Sequence, residues 1–178
     1  MSPAEPVGSR SEDRGRGRAQ AITGAPALRW RWCRFSDLSL VELQNIYAAR
    51  QQVFAIEQQC IYLDADGHDE GAYHLAAWSD RHRLPLGYAR LLDPGRKYAE
   101  ASMGRVITTA PARGTGLGRE LVRRVIAHCA EVWPQSAIRI SAQSRLERFY
   151  AEAGFVAVGA TYLEDEIPHT EMLRPFLG

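Results

Sequence analysis

A glycine-rich loop between a strand-like run, Met103 to Thr109, and an amphipathic helical pattern, Leu117 to Trp133, most constrains how this chain folds. The loop reads Arg113-Gly114-Thr115-Gly116-Leu117-Gly118. Its glycines allow the backbone to approach a ligand closely, and the helix that follows directs free N–H groups and a partial positive charge at an anion. The guanidinium of Arg113 can add a paired contact. The sequence therefore predicts a strand, a loop and a helix that together bind a pyrophosphate group.

Hydrophobic patterns predict that strands and helices alternate along the rest of the chain. Apolar residues at every second position indicate strands with one buried face, and apolar residues three and four apart indicate helices. Ser39 and Glu42 have the spacing of a capping box. The predicted strands are Leu28 to Cys33, His74 to Trp78, Leu86 to Leu92, Ser102 to Thr109, Ala137 to Ala142, Phe155 to Tyr162 and His169 to Leu173. The predicted helices run from Leu40 to about Glu57, from Leu117 to Trp133 and from Arg145 to Ala153. We therefore expect an α/β or α+β fold with helices packed on one sheet.

Length and charge limit the number of domains and the classes of partner. With 178 residues, of which 46% are hydrophobic and 24% charged, the chain suits one globular domain. We expect a disordered extension at residues 1–25 and the domain at residues 26–178. The formal net charge of +1 gives no electrostatic case for binding nucleic acid or a membrane surface.

The three cysteines, Cys33, Cys60 and Cys129, are odd in number and widely spaced, so neither a disulfide framework nor a thiolate metal site is indicated. Together with the absence of an apolar signal segment in residues 1–25, they predict a cytoplasmic protein with free thiols. The acidic segment Asp64 to Glu70 has the wrong register for a calcium loop. We predict a turn with Asx-type hydrogen bonds there, and no metal site.

Two common nucleotide-binding motifs do not fit the glycine loop. A Walker A loop requires lysine and then serine or threonine after its last glycine, whereas Gly118 is followed by Arg119, and Lys97 is the only lysine in the chain. A Rossmann fingerprint requires a different glycine spacing near the start of a βαβ unit. Neither ATP hydrolysis nor dinucleotide binding is indicated.

The spacing Arg113-x-x-Gly116-x-Gly118 after a strand instead resembles the coenzyme A loop of the GNAT N-acetyltransferase superfamily, and further blocks are similar to its ElaA-like branch. These blocks are Val53 to Cys60, Tyr62 to Gly67, Gly104 to Thr108, Ala142-Gln143, Phe149-Tyr150 ahead of Gly154-Phe155, and Tyr162 to Asp165 ahead of Ile167 to His169. The similar region covers roughly Leu28 to Met172. Glu166 stands where that branch commonly has glycine.

The resemblance implies a GNAT-type mixed, mostly antiparallel central sheet flanked by helices in a single domain, with acetyl-CoA as the cosubstrate. The amides of Val106 and Thr108 would polarise the acyl carbonyl, while the Ile107 side chain would face the other side of the sheet. The residues that we assign to cosubstrate binding are Val106, Ile107, Thr108, Arg113, Gly114, Thr115, Gly116, Leu117, Gly118, Arg119 and Gln143.

Acetyl transfer to an amine also requires proton transfer, because an alkyl amine is almost wholly protonated at neutral pH and the departing thiolate benefits from an acid. The resemblance assigns the acid to Tyr150. We predict catalytic roles for His169 and Glu57, although Asp64, Asp66 and Glu164 are equally open as the base. Residues predicted to bind the amine, whose positive charge the acidic loop would attract, are Tyr62, Asp64, Asp66 and Glu164.

Two classes of function follow from the resemblance. The first is an acetyl-CoA dependent N-acetyltransferase that acts on a primary amine of a small molecule or peptide by direct attack in a ternary complex. The second is a non-catalytic acyl-CoA sensor or scaffold module, because a fold does not fix its function. Neither class implies a nucleic-acid or membrane partner, and the sequence leaves a monomer and a homodimer equally open.

Overall fold

The structure, a computed structural model, describes residues 27–176, and the extension expected at residues 1–25 lies outside this range. The strands are β1 (Arg29–Arg34), β2 (Ala72–Ser79), β3 (His82–Leu92), β4 (Ala101–Thr108), β5 (Ile138–Gln143), β6 (Val156–Ala157), β7 (Tyr162–Glu164) and β8 (Ile167–Arg174). The α-helices are α1 (Leu40–Gln51), α2 (Leu117–Val132) and α3 (Glu147–Ala151), and a π-helical segment, Gln52–Glu57, continues α1.

The strands form one sheet in the order β1-β2-β3-β4-β5-β8-β6, and β7 also pairs with β8. Neighbouring strands are antiparallel except for β4 and β5, which are parallel. The predicted mixed, mostly antiparallel sheet is therefore confirmed. Within residues 27–176, none of the helices is both long and apolar enough to cross a bilayer.

Helices cover both faces of the sheet. The apolar stripe of α2, which includes Leu121, Val122 and Val125, is fully buried against one face. On the other face, Ile46 of α1 packs in a cluster with Ile107 of β4. The predicted capping box starts α1: the Ser39 hydroxyl accepts from the Glu42 amide at 3.2 Å, and the Glu42 carboxylate accepts from the Ser39 amide at 3.0 Å.

The β4–β5 pair creates a cleft because the two strands stay together over a short distance only. Their register joins Ala101 to Ile138 and Ser102 to Arg139, and no later pair follows among the described residues. Beyond Ser102 the strands diverge. The backbone groups of β4 that would have bonded to β5 are therefore exposed in the space between them.

The predicted strand Phe155 to Tyr162 is wrong as a single element. The structure has two short strands there, β6 and β7, which pair with different parts of β8. In the interval between them, one backbone hydrogen bond joins the Val158 amide to the Glu171 carbonyl, at 2.9 Å, and the chain bends at Gly159. Both short strands are solvent-exposed, so little packing holds this edge in a regular form.

Candidate active site

A cleft of about 400 Å³ lies between the diverging ends of β4 and β5. One side is formed by β4 and the loop that follows the π-helical segment, and the other by β5, α3 and the β7–β8 hairpin. Lining residues from the first side include Gln58, Cys60, Tyr62, Asp66, His68, Arg105 and Val106, and those from the second include Ser141, Gln143, Tyr150, Glu164, Asp165 and His169. Many of the residues singled out from the sequence thus meet in one cavity.

A β-bulge in β4 shapes the wall of this cleft. Tyr88 pairs with Ile107 and Arg90 with Gly104, so two residues of β4, Arg105 and Val106, lie opposite the single residue Ala89. Such an extra residue bends a strand and redirects its backbone groups. Arg105 occupies the left-handed region with φ of 52°. This conformation is uncommon for a residue other than glycine.

The β4 amides beyond the bulge alternate between β3 and the cleft. The Thr109 amide donates to the Leu86 carbonyl of β3 at 3.0 Å. Because backbone groups alternate along a strand, the Val106 and Thr108 amides face away from β3, toward the cleft. They can therefore donate to an oxygen that develops negative charge there. Val106 lines the cleft and Ile107 packs on the α1 side, which confirms the predicted alternation.

The glycine loop presents unoccupied backbone donors at the end of β4. Gly114 and Gly116 have φ values of 74° and 87°, and a Cβ atom at either position would meet no atom within 4 Å. Gly116 is the N-cap of α2. Among residues 27–176, the amides of Gly114, Gly116 and Gly118 have no hydrogen-bond acceptor. The open space, the free donors and the positive end of α2 fit a pyrophosphate group.

The other loop residues differ in what they can contribute. The Thr115 hydroxyl donates to the Ala112 carbonyl at 2.7 Å and so helps to close the loop. The Leu117 side chain is buried against Gly87 of β3 and packs the start of α2 onto the sheet. Arg119 is exposed and pairs with Glu152, the residue directly after α3, at 2.9 Å. Direct contact of Thr115, Leu117 or Arg119 with the cosubstrate stays a prediction.

Arg113 and Glu57, both singled out from the sequence, form an ion pair. The Arg113 guanidinium also donates to the Thr108 carbonyl at 3.3 Å. This places Glu57 at the end of β4 that leads into the glycine loop, not beside the acceptor pocket where the sequence predicted it. The π-helical segment ends at Glu57 and places its side chain near the end of β4. Local sequence patterns do not predict this contact, because the two segments are far apart in the sequence. Its catalytic role stays a prediction.

Tyr150 lies on the opposite wall and is buried, with 7% of its surface exposed. Its ring packs edge-on against Phe149 and Phe155, at centroid distances of 5.0 and 5.8 Å. Burial raises the pKa of the Tyr150 phenol well above its usual range, so the group is protonated at neutral pH. A protonated phenol at the cleft wall can donate a proton to a departing thiolate.

His169 is held in one orientation at the start of β8. Its Nδ1 lies 2.8 Å from the Ile167 carbonyl, and because a carbonyl only accepts, this nitrogen carries the proton. In the neutral ring Nε2 is then the free acceptor. The Ser141 hydroxyl lies 2.8 Å from the Glu164 carboxylate on the same wall. His169 and Glu164 are thus both available in the cleft to receive a proton or to bind a cation.

The acidic loop is part of a buried ion-pair array that the sequence analysis missed. The arginine–aspartate array consists of Arg50, Asp64, Asp66, Asp69, Arg90 and Arg105. Its three positive and three negative charges cancel. Asp64 and Asp66 were predicted to attract a cationic amine, but the arginines offset the charge on which that argument relied. Their contact with a substrate stays a prediction.

The array could have been suspected from two arginines in apolar surroundings. Arg50 interrupts the apolar pattern of the first helix between Tyr47 and Val53, and Arg90 interrupts the apolar run Leu86 to Leu92. Buried arginines require carboxylate partners, and the loop from Asp64 to Asp69 supplies them. The predicted Asx-type turn is present, since the His68 amide donates to the Asp66 carboxylate at 3.1 Å. Next to it, burial raises the pKa of Tyr62 to about 12.

Gln143 links the two sides of the cleft. Its amide nitrogen lies 3.1 Å from the Gln58 side-chain oxygen, and its own oxygen accepts from Arg145 at 2.9 Å. Gln58 directly follows the π-helical segment. The wall that carries Glu57 and Gln58 is therefore tied both to the glycine loop, through Arg113, and to the end of β5.

Comparisons with known proteins agree with this geometry. The model of the acetyltransferase (GNAT) domain family matches residues 43–174. A UPF0039 protein of Synechocystis is 42% identical over 146 residues, which are 82% of this chain and 94% of that protein. Protein ElaA of Escherichia coli is 33% identical over 149 residues, which are 83% of this chain and 96% of ElaA.

Solved structures give the same result. An acyl-CoA N-acyltransferase from Pseudomonas aeruginosa is 41% identical and has a TM-score of 0.79, covering 83% of this chain and 99% of that one. The crystal structure of Escherichia coli ElaA is 32% identical and has a TM-score of 0.77, with the same coverage of both chains.

Proposed function

Because this chain belongs to the ElaA-like branch of the GNAT acetyltransferase family, we propose that it transfers an acetyl group from acetyl-CoA to a primary amine of a small molecule or peptide. Membership confirms the resemblance seen in the sequence and supports an acyl-CoA cosubstrate in general. The acetyl group, the amine and a cytoplasmic location are part of the proposal.

One observation carries the proposal: the cleft-facing amides of Val106 and Thr108 lead directly into the glycine loop. The loop holds the pyrophosphate of acyl-CoA on its free amides, and the pantetheine arm extends along β4 into the cleft. The thioester carbonyl then lies at the bulge, where the Val106 amide is available to its oxygen. Positioning of this kind removes several kcal/mol from the barrier.

The reaction is direct attack of the neutral amine on the thioester carbon. His169 Nε2 first takes a proton from the ammonium form of the amine, directly or through water, and the neutral nitrogen then forms a bond to the carbonyl carbon. Negative charge develops on the carbonyl oxygen and is stabilised by the β4 amides. The C–S bond then breaks, and the phenol of Tyr150 donates its proton to the departing sulfur. The resulting phenolate recovers a proton from the substrate nitrogen, which becomes the amide, and His169 releases its proton to solvent. The products are the N-acetylated amine and free coenzyme A.

A panel assay distinguishes this function from a non-catalytic acyl-CoA sensor. Release of coenzyme A thiol is followed with acetyl-CoA and a series of polyamines, amino acids, aminoglycosides and peptide N-termini. The proposal expects at least one amine to accelerate thiol release. Tight binding of acetyl-CoA in calorimetry without turnover of any amine supports the sensor. Absence of binding at millimolar acetyl-CoA contradicts both.

A further inference from the structure

We propose that Arg105 is a positioning residue, whose side chain fixes the β4 bulge and thereby aims the Val106 amide at the substrate carbonyl. This inference rests on the proposed function, since it assigns to Arg105 a part in acyl transfer. It goes beyond that function because the Arg105 guanidinium acts through the backbone of its own strand.

The backbone at Arg105 gives the first argument. A residue at φ of 52° adopts a conformation that glycine tolerates best. Gly104 immediately precedes it, yet the left-handed position itself is filled by arginine. An unfavourable conformation persists only when the surrounding structure enforces it, and such positions are concentrated at functional sites. Contacts of the Arg105 side chain can supply this restraint.

Those contacts involve both carboxylates and one backbone carbonyl of the acidic loop. Arg105 Nη2 donates to the Asp66 carboxylate at 3.0 Å and to the Asp64 carbonyl at 3.3 Å, and Nε lies 2.7 Å from the Asp64 carboxylate in an ion pair without hydrogen-bond geometry. The guanidinium also stands over the Tyr62 ring, 5.3 Å from its centroid. Only 21% of the side chain is exposed. A planar guanidinium that binds two carboxylates has a fixed position, so the backbone that carries it is fixed too.

The two carboxylates are themselves held from the protein interior. Arg50, with 1% of its side chain exposed, binds Asp64 at 2.8 Å. Arg90, with 5% exposed, binds both oxygens of Asp66 at 2.6 and 2.7 Å. Asp69 accepts from both of these arginines. The Arg105 side chain is thus attached to a rigid support built from α1 and β3.

The arginine–aspartate array also contacts the bulge through strand pairing. Arg90 of β3 is the register partner of Gly104, the residue directly before Arg105. The array therefore restrains Gly104 through its pairing with Arg90, and Arg105 through its side chain. The Val106 amide directly follows these two residues. If the Arg105 side chain were lost, this segment would be free to regularise, and the amide would no longer be held toward the carbonyl oxygen.

Two substitutions distinguish the effect of the Arg105 side chain from the effect of the backbone conformation at this position. R105G removes the guanidinium while glycine tolerates the left-handed conformation. R105K keeps the charge but cannot form the two-carboxylate fork. R81A is the matched control, because Arg81 is exposed in the β2–β3 turn, away from the cleft. All variants are compared by calorimetry with acetyl-CoA, by NMR of bound [1-¹³C]acetyl-CoA and by steady-state kinetics with the best amine.

We expect R105G to lower kcat about 100-fold, as for loss of one oxyanion donor, and R105K to lower it less. The dissociation constant and KM of acetyl-CoA change by less than about threefold, because the loop that binds pyrophosphate is intact. The bound carbonyl resonance moves toward that of free acetyl-CoA in R105G and stays at the wild-type position in R81A. A purely structural role would change the folded fraction and leave the resonance of the folded protein unchanged.

The inference is overturned if folded R105G keeps the wild-type carbonyl resonance and kcat. In that case the proposed function still stands. If wild-type protein does not bind acetyl-CoA, the proposed function fails, and hydrogen exchange of the Val106 amide tests the positioning role by itself. Faster exchange in R105G than in R81A supports it, and equal rates reject it.

Discussion

The Arg113 guanidinium forms an ion pair with the Glu57 carboxylate, 56 positions earlier in the chain. Arg113 precedes the glycine loop, and Glu57 ends the π-helical segment that continues α1. Because Arg113 is the arginine expected to bind pyrophosphate, a bound pyrophosphate and Glu57 compete for the same guanidinium. We therefore predict that cosubstrate binding separates this pair and leaves Glu57 without its cationic partner.

Neutralising Glu57 should tighten acyl-CoA binding. In Glu57→Gln the competing negative charge is gone, so we expect the dissociation constant of acetyl-CoA to fall about three- to tenfold, in line with the modest energy of an exposed ion pair. Calorimetry at low and high salt measures it, and Glu131→Gln, an exposed change near the end of α2, serves as the control. Unchanged affinity together with lost turnover would instead make Glu57 the base.

Tyr150 should affect the chemical step and leave binding nearly unchanged. In Tyr150→Phe the ring still packs between Phe149 and Phe155, so we expect an unfolding temperature close to that of the wild type. Loss of the acid should lower kcat by about 10²-fold or more with little change in KM. Because burial raises the pKa of Tyr150, its deprotonation should not limit wild-type activity at or below pH 10. A variant with full kcat would remove Tyr150 from the mechanism.

His169 should matter most where the amine substrate is protonated. We expect His169→Gln to lower kcat/KM strongly at pH 7, because no group then takes the proton from the amine. The deficit should narrow as the pH approaches the amine pKa of about 10, where free amine becomes abundant. A pH–rate profile with one active amine checks this. A deficit that is constant with pH would show that His169 does not act as the base.

Much of the fold was predictable from local patterns. The Ser39 capping box, the apolar stripe of α2 and the glycine loop depend on residues close together in sequence, and the structure has all three. The glycine that the ElaA-like branch commonly has at position 166 likewise has a local reason, since the backbone of Glu166 has a φ of 65°, which glycine tolerates best. Local chemistry determines these features, so the sequence reveals them.

Features that depend on distant contacts were not predictable. The arginine–aspartate array joins α1, the acidic loop, β3 and β4, and its pairing follows from the sheet order. The same holds for Glu57, because its partner Arg113 is distant in the sequence and close only in the folded chain. The segment predicted as one strand forms the two short strands β6 and β7, because it lies at an exposed edge and pairs only with β8. Its β-like composition does not reveal this interruption.

The array should make the stability of the fold depend on pH. Burial alone would raise the pKa of Asp69, but the charges and hydrogen bonds of Arg50 and Arg90 together outweigh it, and the folded-state pKa is lowered. The stabilisation is therefore complete above the unfolded pKa of about 4 and is lost as the pH falls through the lower folded pKa. Because one partner of a buried pair is removed, Asp69→Asn should cost about 3–5 kcal/mol at pH 7.

Urea unfolding across the pH range measures this contribution. The difference between Asp69→Asn and the wild type should shrink below about pH 4, where Asp69 becomes protonated in the unfolded wild-type chain, and should level off below the lower folded-state pKa. Asp80→Asn, in the exposed β2–β3 turn, should match the wild type at every pH. A difference for Asp69→Asn that stays constant into acid would contradict the assignment of this stability to the ion pairs.

Transfer of the acetyl group itself is tested most directly by counting products. The protein is incubated with acetyl-CoA and the most active amine of the panel, and coenzyme A thiol and acetylated amine are quantified together by mass spectrometry. We predict equal amounts of the two products, formed much more slowly by Tyr150→Phe. Thiol release without an equal amount of acetylated amine, or no release with any amine, would contradict an N-acetyltransferase built on this cleft.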